Sequence, residues 1–263
     1  MHLNYPLAGK NALVCGGSKG IGKASAIALA RMGASVTLVA RSAVDLQACL
    51  ADLHREGEQD HDMLVADFSQ LSELKSKIIA ISSTKDYHIL INNTAGPAGG
   101  LLIEADPDAL TDTFTRHVLA SQLITQTLVT GMIRSGYGRI INIVSTSVKE
   151  PIEGLGVSNT IRGAMGNWAK TLASELGRHQ ITVNNVLPGF TLTDRLSAII
   201  AAKAEKTGME KAAIESEMKA GVPAGRFAEP HEVAAAVAFL ASPEASYVNG
   251  INLPVDGGRT RSL

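Results

Sequence analysis

The sequence predicts an α/β fold, a doubly wound parallel sheet of about seven strands with helices on both faces, running as one domain through residues 1–263. Three observations predict it. Short β-branched runs alternate with longer, Ala-rich segments of helical period. Most of the runs are apolar throughout, which marks strands buried on both faces. No linker, internal repeat or low-complexity block divides the chain. Strand–helix alternation implies right-handed crossovers, and in such sheets ligands bind beyond the carboxyl ends of the strands.

The elements follow in order. The strand runs are Ala12–Cys15, Ser35–Ala40, Met63–Ala66, Ile89–Ile91, Arg139–Val144, Ile181–Val186 and Ile251–Val255. A helix runs from Ile21 to Met32, with Gly33 at its C′ position. A second spans Ser158 to Leu176 and is stopped by Gly177. Its residues Ile161, Met165, Trp168, Leu172 and Leu176 recur at three- and four-residue steps and form one buried stripe. That stripe assigns Trp168 to the core or to a subunit interface. Leu196–Ala204 and Glu210–Met218 also have helical period.

Composition narrows the partners. The chain is 45% hydrophobic and 19% charged, enough apolar material for a core. Lys plus Arg is 24 and Asp plus Glu 25, a net charge of −1. That balance disfavours nucleic acid or an anionic membrane as a partner. Cys15 and Cys49 have no metal-site spacing, and Cys15 reads as a small core residue. Met1–Lys10 contains no apolar signal core, and no stretch reaches the roughly 20 apolar residues of a membrane span. A cytoplasmic location is expected.

The turn after the first strand carries the strongest chemical signal. It reads Cys15-Gly16-Gly17-Ser18-Lys19-Gly20-Ile21-Gly22 and opens directly into a helix. Glycine allows a tight turn and close approach of backbone to a diphosphate, and the helix start supplies free N–H groups. Strand before and helix after is the context a dinucleotide needs. The end of the second strand carries Arg41 instead of the carboxylate that would favour NAD. Arg41 and Lys19 suit a ribose 2′-phosphate through charge-assisted hydrogen bonds, so NADP(H) is favoured over NAD(H).

These motifs resemble those of the short-chain dehydrogenase/reductase family, and the resemblance covers almost the whole chain. Gly16, Gly20 and Gly22 match its glycine motif. Asp67, followed by Phe68, matches its adenine contact. Asn92-Asn93-Thr94-Ala95-Gly96 resembles the turn after its fourth strand, which implies cofactor contacts at Asn93 and Ala95. Pro188-Gly189-Phe190-Thr191-Leu192-Thr193 looks like its Pro-Gly-x-x-x-Thr, which implies that Pro188, Gly189, Thr191 and Thr193 hold the nicotinamide half. Asn249-Gly250 and Asp256-Gly257-Gly258 also match. The resemblance is nearest to a divergent subgroup of 3-oxoacyl-carrier-protein reductases. It implies a Rossmann-type domain with a helical substrate lid at about 190–226, a small-molecule or acyl-thioester substrate, and a homo-oligomer, tetramer or dimer.

The family's catalytic set is Asn, Ser, Tyr and Lys. Ser145 matches the serine that holds the substrate oxygen, with Ser147 a near neighbour. The usual spacing puts Ser158 at the Tyr position, Arg162 at the Lys position and His117 at the Asn position. Tyr137 precedes the fifth strand, at the wrong end of the sheet. A serine hydroxyl is a much poorer acid than a phenol, and arginine cannot relay a proton. Losing general acid–base help would slow reduction by roughly 10²–10⁴-fold without abolishing hydride transfer. His117, with an ordinary pKa near 6.5, is the leading replacement proton donor, and Lys149 a second. Two alternatives compete with this NADP(H)-dependent oxidoreductase. One is lyase or hydrolase chemistry on an anionic substrate held by Arg162, Lys149 and Arg116. The other is a catalytically silent cofactor-binding protein.

Overall fold

A computed structural model describes residues 5–55 and 57–262. The first four residues of the Met1–Lys10 stretch lie outside them. The seven strands are β1 (Asn11–Cys15), β2 (Ser35–Ala40), β3 (Asp62–Val65), β4 (Ile89–Asn92), β5 (Gly138–Ile143), β6 (Ile181–Pro188) and β7 (Asn252–Val255). They form one sheet in the order β3-β2-β1-β4-β5-β6-β7. Every pairing is parallel. Strands β1, β4, β5 and β6 are almost wholly buried, as their unbroken apolar runs require. Strand β6 runs two residues past its expected end because Pro188 still pairs with Val255.

The helices are α1 (Gly20–Arg31), α2 (Ala43–Ala51), α3 (Leu71–Ser82), α4 (Pro107–Phe114), α5 (Ala120–Ser135), α6 (Gly156–Leu176), α7 (Asp194–Thr207), α8 (Lys211–Ala220) and α9 (Pro230–Ala241). One face of the sheet is covered by α1, α2 and α9 through Leu29, Leu46, Val233 and Val237. The other is covered by α3, α5 and α6 through Ile78, Ile124, Leu128 and Ala169. Helices α7 and α8 pack on each other around Leu196, Ile200 and Ile214. Trp168 is half-buried, and its Nε1 donates to Gln122 Oε1 at 2.7 Å, tying α6 to α5. Cys15 and Cys49 are buried free thiols. Burial pushes the Cys15 pKa to about 12.

Helix α6 ends at Leu176 with Gly177 as its cap, as expected. Gly177 keeps a right-handed conformation at φ −54°. The chain leaves α6 through a tightened turn, Gly177–His179, and reverses at Gln180, whose φ is +61°. The left-handed position that ends the segment is thus three residues later and is not a glycine. Helix α6 starts two residues earlier than expected. At Gly156 a Cβ would lie 2.5 Å from the Leu102 backbone N, so only glycine lets the helix begin against that loop.

A row of amides crosses the sheet. Asn92, Asn142, Asn185 and Asn252 lie in register on β4, β5, β6 and β7. Each Nδ2 donates to the next Oδ1, at 2.9, 2.8 and 2.8 Å. Asn142 is completely buried. The chain of bonds satisfies amides that would otherwise cost about 1–3 kcal/mol each.

Candidate active site

The carboxyl ends of β1, β2, β4, β5 and β6 bring most of the expected residues to one edge of the sheet. The glycine turn is built by close approach. A Cβ on Gly16, whose φ is +58°, would stand 2.4 Å from the Asn93 carbonyl oxygen, and one on Gly22 would stand 2.0 Å from the Gly16 oxygen. Asn93 Nδ2 donates to Gly16 O at 3.2 Å, locking the turn to the end of β4. Helix α1 starts at Gly20 with no side-chain cap from Lys19 and no acid in its first turn. Its first N–H groups and the positive end of its dipole are left for an outside anion. Thr193, after β6, packs against Gly20; a Cβ there would be 3.1 Å from Thr193 Cγ2. These features fit a dinucleotide diphosphate.

At the end of β2, Arg41 is exposed, and Ser42 caps α2 by accepting from Asp45 N at 3.2 Å. Lys19 is not the free cation the sequence suggested. Its Nζ lies 3.0 Å from Asp45 Oδ2. The two are distant in sequence, and only the fold makes them a pair. Both groups are at the surface, where such a pair is worth about 0–1 kcal/mol, so a phosphate dianion can compete for the lysine. Asp67 accepts from Ser69 N at 2.9 Å and Ser69 Oγ at 2.8 Å. The Ser69 N–H holds its carboxyl below the usual range, with smaller help from the Ser69 hydroxyl, Arg41 and Arg116. Phe68 is buried and lines a narrow cleft with Cys15, Asn93, Thr94, Arg116 and Ala120.

Beyond β5, Ser145 is half-buried and its Oγ accepts from Ser147 N at 3.1 Å. The Ser145 hydroxyl hydrogen is therefore free to donate elsewhere. Ser147 Oγ is buried with no partner. Ser158 and Arg162 lie one turn apart on α6, each 8% exposed. Arg162 Nη1 donates to Ile143 O at 2.9 Å. Burial, with Arg195 second, lowers its pKa to about 10, so it stays cationic at neutral pH. Among the described residues Arg162 has no acidic partner. After β6, Thr191 Oγ1 donates to Gly189 O and Thr193 Oγ1 to Thr191 O, each at 3.2 Å.

His117 sits in a π-helical turn, Thr115–Leu119, between α4 and α5. Its Nε2 is 3.2 Å from Ala95 O, and Thr94 Oγ1 is 2.6 Å from its Nδ1. A carbonyl only accepts, so Nε2 carries the proton and Nδ1 accepts from the Thr94 hydroxyl. Burial first, then the Arg162 charge, push its pKa down to about 3. The expectation of a proton donor poised near neutrality is corrected: this imidazole is neutral and both its nitrogens are engaged. The sign for stability follows. Unfolded, the ring takes up a proton near 6.5; folded, only near 3. Lowering the pH below 6.5 therefore favours the unfolded chain. The wild type should lose about 1 kcal/mol more per pH unit below pH 6 than His117→Gln. Urea midpoints between pH 7.5 and 5 check this, and parallel slopes would contradict it.

Arg116 pairs with Asp112 on the preceding helical turn, and both side chains are exposed, so an anion would have to compete with a weak surface pair to engage it. Lys149 is half-buried at the end of the turn after Ser145. Tyr137 lies at the opposite, amino end of β5, where its hydroxyl donates to Ala241 O at 2.6 Å. Two arginines escaped the sequence reading. Arg195 donates from Nη2 to Pro97 O at 2.6 Å. Arg259 lies 4.5 Å from the Phe190 ring centroid, and its Nη1 is 3.4 Å from Thr146 Oγ1. Only the position of Arg195, two residues after Thr193 at the start of α7, could have drawn attention to it.

The comparisons agree with this geometry. A family profile described as enoyl-(acyl carrier protein) reductase matches residues 16–260. The chain belongs to the short-chain dehydrogenase/reductase family. NADPH-dependent reductase BacG of Bacillus subtilis (strain 168) is 32% identical over 97% of this chain and 99% of its own. The 3-oxoacyl-[acyl-carrier-protein] reductase FabG of Vibrio cholerae is 33% identical over 96% of this chain and 98% of its own. L-sorbose reductase from Gluconobacter frateurii, solved with NADPH and L-sorbose, superposes with a TM-score of 0.92 at 27% identity. That match covers 99% of this chain and all of that one. This short-chain dehydrogenase/reductase is an oxidoreductase by family. Among the described residues no helix is long and apolar enough to cross a membrane.

Proposed function

We propose that the protein is an NADP(H)-dependent oxidoreductase that interconverts a carbonyl and an alcohol, with Ser158 and Arg162 standing where the family carries Tyr and Lys. The observation that carries the reading is the uncapped start of α1 beside the exposed Arg41, on the same sheet edge as Ser145 and Arg162. The relatives described as NADPH-dependent, and the sorbose reductase solved with NADPH, support the choice of coenzyme. The N–H groups of Gly16, Ser18, Gly20, Ile21 and Gly22 would hold the diphosphate. Arg41, with Lys19 drawn from Asp45, would hold the 2′-phosphate. Asp67 and Phe68 would contact adenine. Asn93, Ala95, Pro188, Gly189, Thr191 and Thr193 would hold the nicotinamide half.

The coenzyme supplies the hydride. Ser145 donates its free hydroxyl hydrogen to the substrate oxygen, which the Ser147 N–H helps by occupying a lone pair of the serine. Arg162, a buried cation bonded to Ile143 O, puts a positive charge at the foot of the serine loop. Ser158 is too weak an acid to protonate the alkoxide, so the proton that completes the alcohol would come from solvent through a water beside it. His117, neutral and doubly bonded, shapes the loop after β4 instead of titrating. The α7–α8 pair, within 190–226, would act as a lid over a small-molecule or acyl-thioester substrate. We further propose a cytoplasmic homo-oligomer, a tetramer or dimer.

The test is turnover of a carbonyl panel with NADPH. Alcohol should form in step with loss of the nicotinamide absorbance, one for one. Product formation with the absorbance unchanged would favour lyase or hydrolase chemistry. Tight NADPH binding with no turnover of any carbonyl or alcohol would favour a silent coenzyme-binding protein.

A further inference from the structure

Arg162 and Arg195 come from different helices, α6 and α7, yet converge on one point. A Cβ added to Gly96 would stand 3.8 Å from Arg162 Nη2 and 3.6 Å from Arg195 Nη2. Glycine leaves that point free of side chain. No acidic side chain pairs with either guanidinium among the described residues. The protein contacts of the two are backbone carbonyls, Ile143 O and Pro97 O. Arg162 is 8% exposed, and a buried cation without a counter-charge is costly. Each guanidinium has five N–H donors, so donors remain on both. Two like charges that meet beside Gly96, without an internal carboxylate, have the chemistry to take an external anion.

We infer that Arg162 and Arg195 bind a carboxylate of the substrate at Gly96, so that the reductase acts on oxo- or hydroxy-acids in preference to neutral carbonyls. The inference rests on the reductase reading above. A coenzyme diphosphate shares this chemistry, but the uncapped start of α1 already provides for it. The arginine pair lies instead toward the serine loop, with Arg162 bonded to Ile143, two residues before Ser145. A carboxylate held there would fix the far end of a small substrate while Ser145 receives its oxygen.

The experiment is calorimetric titration of the full chain, with and without saturating NADPH. The probes are pyruvate, 2-oxoglutarate and D-gluconate, with L-sorbose as a neutral control. The proteins are wild type, Arg195→Gln and Arg195→Lys; Arg195 lies at the rim, so its replacement leaves the core intact. At least one carboxylate should bind wild type about tenfold more tightly than sorbose does. Arg195→Gln should lose about tenfold for that carboxylate, Arg195→Lys should retain most of it, and both should keep NADPH affinity within about twofold. Carboxylates no tighter than sorbose would overturn the inference. So would an Arg195→Gln variant that loses NADPH affinity instead, which would give the pair to the coenzyme. Should NADPH fail to bind wild type, the coenzyme reading falls, and the coenzyme-free titrations still decide whether the pair takes a carboxylate.

Discussion

Arg41→Asp should reverse the coenzyme preference, costing NADPH about 10²–10³ in affinity while leaving NADH within a few-fold. The argument is local. Arg41 stands exposed at the end of β2, with no acidic partner among the described residues. Lys19, the other cation near the turn, is already engaged by Asp45. Arg41 therefore carries most of the discrimination for a 2′-phosphate. Removing a charge-assisted hydrogen bond costs about 1.5–3 kcal/mol. Placing a carboxylate beside a dianion adds a repulsion of comparable size, and each 1.4 kcal/mol is tenfold. Dissociation constants for both coenzymes, measured by nicotinamide fluorescence, check the result. Equal losses for NADPH and NADH would show that Arg41 acts on the turn as a whole and not on the phosphate.

Gly22→Ala should do more than weaken binding. The new methyl carbon would be placed 2.0 Å from the Gly16 carbonyl oxygen and 2.7 Å from Asn93 Nδ2. Both neighbours are fixed. Gly16 is itself pressed against the Asn93 carbonyl, and Asn93 holds the end of β4. The backbone of the turn must move, at a cost of about 3 kcal/mol of stability, and coenzyme affinity should fall at least about 100-fold. Gly163→Ala on α6 is the control, since a Cβ there meets nothing within 4 Å. It should stabilise the fold by about 0.5–1 kcal/mol. Denaturant midpoints and NADPH titration report on both, and a Gly22→Ala protein with normal values would mean the turn is looser than its contacts require.

Much of this arrangement was legible in the chain. Unbroken apolar runs announce strands covered on both faces, and the seven expected runs match the seven strands within a residue or two. The glycine turn was legible because strand, turn and helix are consecutive. What escaped depends on distance in sequence. The Lys19–Asp45 pair joins two elements that meet only after α1 crosses to β2. The convergence of Arg162 and Arg195 needs α6, α7 and the loop after β4 assembled. The state of His117 is a property of its surroundings, since burial and the nearby Arg162 take it far from an ordinary imidazole. The Arg116–Asp112 pair was the exception. Its four-residue spacing on a helix is readable from sequence.

The asparagine row has a mechanical meaning. All three of its bonds point from β4 toward β7, so these four strands cannot slide past one another without breaking the relay. The loops that follow β4, β5 and β6 leave the sheet within three residues of that row. Their separation is metered by the sheet, like the jaws of a caliper set to one opening, and closure of any flap above must leave that gauge unchanged.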